Sequence, residues 1–104
     1  MIMNEMADHA ADAADLMKAL GNESRLMILC MLAGGERSVG ELNATIPLSQ
    51  SALSQQLARL RQHGIVKTRR ESQTIYYTLA PGPADQVIQL LHEIYCGTGA
   101  KETH

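Results

Sequence analysis

With 104 residues, 45% of them hydrophobic, the chain has enough apolar surface for one modest core and is read as one domain over 1–104, leaving no room for a second. It contains no Trp, no Phe and three Tyr, so Leu, Ile, Val and Met must fill that core, which suits packed helices and, in a small elongated domain, completion of the core by dimerisation. The net charge of −2 excludes a uniformly basic polyanion binder, but Ser49 to Leu79 holds Arg59, Arg61, Lys67, Arg69 and Arg70 against Glu71 alone, while Met1 to Glu23 holds five acids against Lys18; one end is suited to phosphate and the other faces away.

Glu5 to Leu20 carries Met6, Ala10, Ala13, Leu16, Met17 and Leu20 at helical spacing and is the first predicted helix. Gly21 stops it. Asn22 caps a second helix whose run LMILCML, Leu26 to Leu32, is apolar nearly all round, the pattern of a helix buried on most sides. After Gly34 and Gly35, Ser38 and Glu41 stand at the spacing of a capping box, opening a short third helix that turns Leu42 and Ile46 inward and ends at Pro47. Only Pro47 and Leu48 separate Ile46 from Ser49, the N-cap of a fourth helix with Leu53, Leu57 and Leu60 on one stripe and Gly64 at its end. Two helices joined by so tight a turn form a helix-turn-helix, with a reading head at about 38–63.

The other face of that fourth helix shows Gln50, Ser51, Ser54 and Gln55, side chains that donate and accept hydrogen bonds without carrying charge into a groove. Such residues suit base edges and phosphates in a major groove, with Ser49 at the helix start and Arg59 a turn later for the backbone. Taken alone, the same pattern also describes a solvated polar face.

Beyond Gly64 the period changes to two residues. Ile65 to Arg70 and Thr74 to Leu79 read as strands joined by a turn at Glu71, Ser72 and Gln73, a wing at about 65–79 with Arg69 and Arg70 near its tip. A lone hairpin is marginal, so the wing must lie against the helices, and its basic residues then suit a flanking phosphate or minor groove. Pro81, Gly82 and Pro83 lead to a last helix at about 84–96 with Val87, Leu90, Leu91, Ile94 and Tyr95 on its apolar face; residues 97–104 read as frayed. The predicted fold class is therefore mainly α with a small β-hairpin, a winged helix-turn-helix of four helices, two strands and a final helix. No run is long enough for a membrane span and no signal pattern opens the chain, so a cytoplasmic protein with reduced Cys30 and Cys96 is expected.

The order of helices, together with ALGNESRLMILCML, the stretch from Arg37 to Leu79 and the closing LLHEIYC, resembles the ArsR (SmtB/ArsR) family of bacterial winged-helix repressors over residues 14 to 96. The placement of Cys30 and Cys96 is similar to the thiol- and persulfide-sensing branch of that family. The resemblance implies a homodimer built through the helices at 5–20 and 84–96, double-stranded operator DNA as partner, and DNA contacts at Gln50, Ser51, Ser54 and Gln55. It also implies that the fold brings Cys30 and Cys96 near each other, and that reactive sulfur species oxidise them to a disulfide or polysulfide that switches operator binding. No cofactor and no membrane partner are expected.

Two alternatives stay open. A metal-responsive repressor of the same family would use paired cysteines in the third helix, where this chain reads Val39-Gly40-Glu41-Leu42-Asn43, or an Asp-x-His and a His pair in the last helix, where it has Asp85, His92 and Cys96 without the remaining ligands; no metal site is assigned. A constitutive DNA-binding dimer would carry Cys30 as a small core hydrophobe. An enzyme is not expected, since the chain has no Cys-x-x-Cys motif and no evident thiol, His and acid constellation.

Overall fold

The computed structural model describes residues 2–96; the segment 97–104, predicted to fray, lies outside them. The chain runs α1 (Ile2–Leu20), α2 (Glu23–Ala33), β1 (Arg37–Ser38), α3 (Val39–Thr45), α4 (Gln50–Gln62), β2 (Val66–Glu71), β3 (Thr74–Leu79) and α5 (Pro83–Cys96). Local chemistry sets most of these boundaries. Asn22 Oδ1 accepts from the Arg25 N–H at 3.0 Å and opens α2. Ser38 and Glu41 close the capping box on α3: Ser38 Oγ accepts from the Glu41 N–H at 3.1 Å, and the Glu41 carboxylate accepts from the Ser38 N–H at 2.8 Å.

The turn between α3 and α4 is held by a contact that sequence reading missed. Asn43 Nδ2 donates to the Leu48 carbonyl at 2.9 Å, while the Leu48 N–H donates to Ile46 at 2.8 Å. Ser49 Oγ then accepts from the Ala52 N–H at 3.1 Å and caps α4. At the other end Gly64 takes φ +72. Its N–H donates to Arg61, and the N–H of Ile65 donates back to Leu60 at 3.0 Å. This pair of bonds is a Schellman closure, and Ile65 and Leu60 are both in the core.

The hairpin is one edge of a three-stranded antiparallel sheet in the order β1-β3-β2, so the predicted two-stranded wing gains a strand. Arg37 and Ser38 pair with Tyr77 and Tyr76; a two-residue strand shows no period in the sequence, which is why it escaped prediction. Glu71 pairs with Thr74, leaving a two-residue turn, Ser72 and Gln73, in place of the predicted three, with Ser72 at φ 57.

One core joins the elements: Ile28, Leu29 and Leu32 of α2, Leu42 and Ile46, then Leu53, Leu57 and Leu60 of α4, Ile65 and Val66, and Ala84 and Ile88 of α5. Three expectations need correction. Of the α1 stripe only Leu20 is buried, and Met6 and Met17 stand 59% and 51% exposed. Helix α2 is not enclosed on most sides, since Leu26, Met27, Cys30 and Met31 are half-buried. In α5 the fully buried residues are Ala84 and Ile88, outside the predicted stripe; Val87 and Leu91 of that stripe are half-buried against the core, whereas Leu90, Ile94 and Tyr95 are exposed. Apolar periodicity marks a face that avoids water but not which face meets this core, and α5 has two. The radius of gyration, 15.1 Å, exceeds the roughly 13 Å of a compact domain of about 100 residues, as expected of an uncovered α1.

Candidate nucleic-acid interface and thiol pair

The buried stripe of α4 fixes which way its polar side points. Leu53, Leu57 and Leu60 are at 0–1% exposure, and helical geometry then turns Gln50, Ser51, Ser54, Gln55 and Arg59 to solvent, where all five are exposed. They form one continuous uncharged strip ending in a cation. Ser49 is exposed at the helix start, and its Oγ is occupied as the cap, 3.4 Å from Ser51 Oγ. Arg59 and Arg61 in the last turn are placed favourably toward the helix dipole.

The two wing arginines, read in the sequence as a pair, are separated by the strand's alternation. Arg69 lies opposite Tyr76 in the ladder, with its guanidinium 4.6 Å from the ring centroid. Its Nε and Nη2 grip both Glu36 carboxylate oxygens at 2.7 and 2.8 Å, and Nη1 reaches Glu71 at 3.0 Å. The guanidinium holds the Glu36 carboxyl below the usual carboxylate range. Arg70 projects from the other side, exposed, with no ion pair among the described residues. Glu36 and Tyr76 were not legible as site residues, because they meet Arg69 only through the folded sheet; Glu36 is 33 residues away along the chain.

Cys30 and Cys96 are both free thiols. Cys30 sits half-buried on the side of α2 facing a cleft of about 440 Å³, walled by Leu26, Met27, Leu91 and Tyr95, with Glu23 as its charged residue. Burial pushes the Cys30 thiol up, with the charge of Cys96 a smaller contribution; the two cysteines stand on α2 and α5, helices that pack against each other. Cys96 is exposed at the end of α5. Asp85 and His92 border a separate cleft on α5, and among the described residues no three His, Cys, Asp or Glu side chains converge on a metal position. No described helix is long and apolar enough to cross a membrane.

A capped helix-turn-helix with a polar strip on its second helix and a sheet-anchored wing defines a winged-helix DNA-binding protein. Comparison with known proteins makes the class specific. Residues 22–68 match the bacterial regulatory protein, arsR family. Over 96 residues the chain is 53% identical to the transcriptional activator HlyU of Vibrio cholerae serotype O1, covering 92% of this chain and 89% of that protein. The structure of HlyU from Vibrio vulnificus CMCP6 superposes with a TM-score of 0.85 at 54% identity, covering 92% and 100% of the two chains. That of the transcriptional repressor BigR from Xylella fastidiosa gives 0.82 at 44% identity, covering 92% and 98%. The chain belongs to the ArsR family and is a DNA-binding transcriptional regulator rather than an enzyme.

Proposed function

We propose that the protein is a homodimeric repressor whose operator binding is switched by joining Cys30 to Cys96. In the reduced dimer two α4 helices lie about one duplex turn apart, about 34 Å, and read the half-sites of a palindromic operator. Gln50, Ser51, Ser54 and Gln55 meet base edges and nearby phosphates, Ser49 sets the start of the helix, and Arg59 and Arg70 meet phosphates. Arg69 holds the shape of the wing and turns to phosphate only by leaving its carboxylates.

The observation that supports the switch is the presence of two free thiols, Cys30 and Cys96, on two helices that pack against each other, α2 and α5. The raised thiol lowers the thiolate fraction and slows attack on any oxidant, peroxide included. The apolar cleft beside Cys30 suits a reactive sulfur species. The Cys30 thiolate attacks the sulfane sulfur of a persulfide R–S–SH, giving Cys30–S–SH and RS⁻. The Cys96 thiolate then displaces hydrosulfide and closes the disulfide; two persulfidated cysteines close to a trisulfide with loss of hydrogen sulfide. Either link ties α5 to α2, and α2 leads through Gly34 and Gly35 to Glu36, the partner of the wing residue Arg69. A coupling of about 2.7 kcal/mol across that path would change operator affinity about a hundredfold. Among relatives, one is named an activator and another a repressor.

Peptide mass spectrometry of the dimer treated with an organic persulfide tests the chemistry. A Cys30–Cys96 link within one chain is expected, and Cys30→Ser is expected to leave Cys96 only persulfidated. Crosslinks between protomers alone would refute the assignment.

A further inference from the structure

The end of α1, the first turn of α2 and the last turn of α4 meet at a cleft of about 460 Å³ lined by Asp15, Lys18, Ala19, Arg25, Arg59 and His63. It lies apart from the thiol pair and from the wing. Three permanent cations share it with one carboxylate, and among the described residues none of the three makes an ion pair; the pairs present belong to Arg69. Arg25 Nε is buried without a hydrogen-bond partner. A buried donor left without an acceptor is destabilising, the more so on a charged group. Three cations against the single carboxylate of Asp15 leave an excess of positive charge that adds to that cost. One ligand chemistry relieves both: an oxyanion, which supplies acceptors to the guanidinium fork and negative charge to the cluster.

We propose that Lys18, Arg25 and Arg59 form an oxyanion site that takes a phosphate group, with His63 as a further hydrogen-bond donor. Arg25 is the half-buried anchor, while Lys18 and Arg59 are exposed side chains that close over the anion. The phosphate comes either from the DNA backbone beside the half-site or from a free phosphate-bearing molecule. In the first case the site rests on the operator reading above and extends its footprint onto α1 and α2; in the second it is independent of that reading.

The test follows the Arg25 Nε–H resonance of the full chain in ¹H–¹⁵N spectra, adding inorganic phosphate at constant ionic strength against chloride, and then operator DNA. Its companion is the salt dependence of operator affinity in Arg25→Gln and in Lys18→Gln, the second variant changing an exposed side chain in case the first does not fold. A saturable shift with phosphate, weakened at least about threefold by Lys18→Gln, assigns a free anion. A shift only with operator, together with a salt slope lowered by about one per protomer, assigns the backbone source. No saturable shift with phosphate and unchanged slopes in the variants overturn the site. Should the protein bind no operator at all, the operator reading fails while the phosphate titration still decides this one.

Discussion

Ser54 and Leu57 are three residues apart and do opposite work. Leu57 is 1% exposed in the core, so Leu57→Ala should destabilise the fold by about 2–5 kcal/mol, read from denaturant unfolding. Ser54 is exposed, so Ser54→Ala should leave unfolding unchanged and weaken operator binding by about 1–3 kcal/mol per half-site. Equal stability loss in both variants would mean that the polar strip is part of the fold. Cys30 carries a pH prediction of defined sign. Because its thiol is pushed up from 9.0, the thiolate is a minor species near neutrality and its fraction grows about tenfold per pH unit below the pKa. The rate of persulfide capture should climb accordingly through the neutral and mildly alkaline range, measured by stopped reaction and mass spectrometry. A rate flat with pH would mean that another group is attacked.

At the level of elements, the helices and their caps were legible because their signals are local. Ser38 with Glu41, Asn22, Ser49 and Gly64 each act within a few residues of themselves, and each does in the structure what its position implied. What could not be read was made by the fold. The strand β1 exists only because Arg37 and Ser38 meet the far side of β3. The apolar stripes of α1 and α5 named water-avoiding residues without saying that Ala84 and Ile88 would take the core. The polar strip of α4 was visible as a candidate, whereas the neutralisation of Arg69 by Glu36 was not, since it depends on sheet register. That ion pair gives the third prediction. Glu36 is held below the ordinary carboxylate range, so the pair is intact above that range and is lost only as pH falls through the lowered value; being exposed, it contributes little to stability. Its effect should appear in DNA binding. Glu36→Gln removes a negative charge and frees Arg69, and is expected to tighten operator binding a few-fold with a steeper salt dependence, whereas Arg70→Gln should loosen it. The same sign from both variants in a filter-binding titration would show that the wing does not meet phosphate.

For the whole molecule, the exposed apolar side chains are concentrated on α1 and α5: Met6, Met17, Leu90, Ile94 and Tyr95. A surface of this kind suits a partner, and continuity of α5 with the thiol pair makes a second copy the occupant that the proposed switch requires. Ile94 is 51% exposed, so Ile94→Glu places a charge on that surface without disturbing the core. It should yield a folded monomer in sedimentation velocity and lose palindromic operator binding; a dimer that persists would move the interface elsewhere.

Bonding the two thiols is held to change how the dimer grips DNA. Fluorescence anisotropy on an operator duplex, with the reduced protein, the persulfide-treated protein and the treated Cys96→Ser variant, tests this most directly. Tight binding is expected from the first, a loss of about a hundredfold in the second, and tight binding retained in the third. Equal affinity of reduced and treated wild-type protein, with the Cys30–Cys96 link verified in the treated sample, would contradict it.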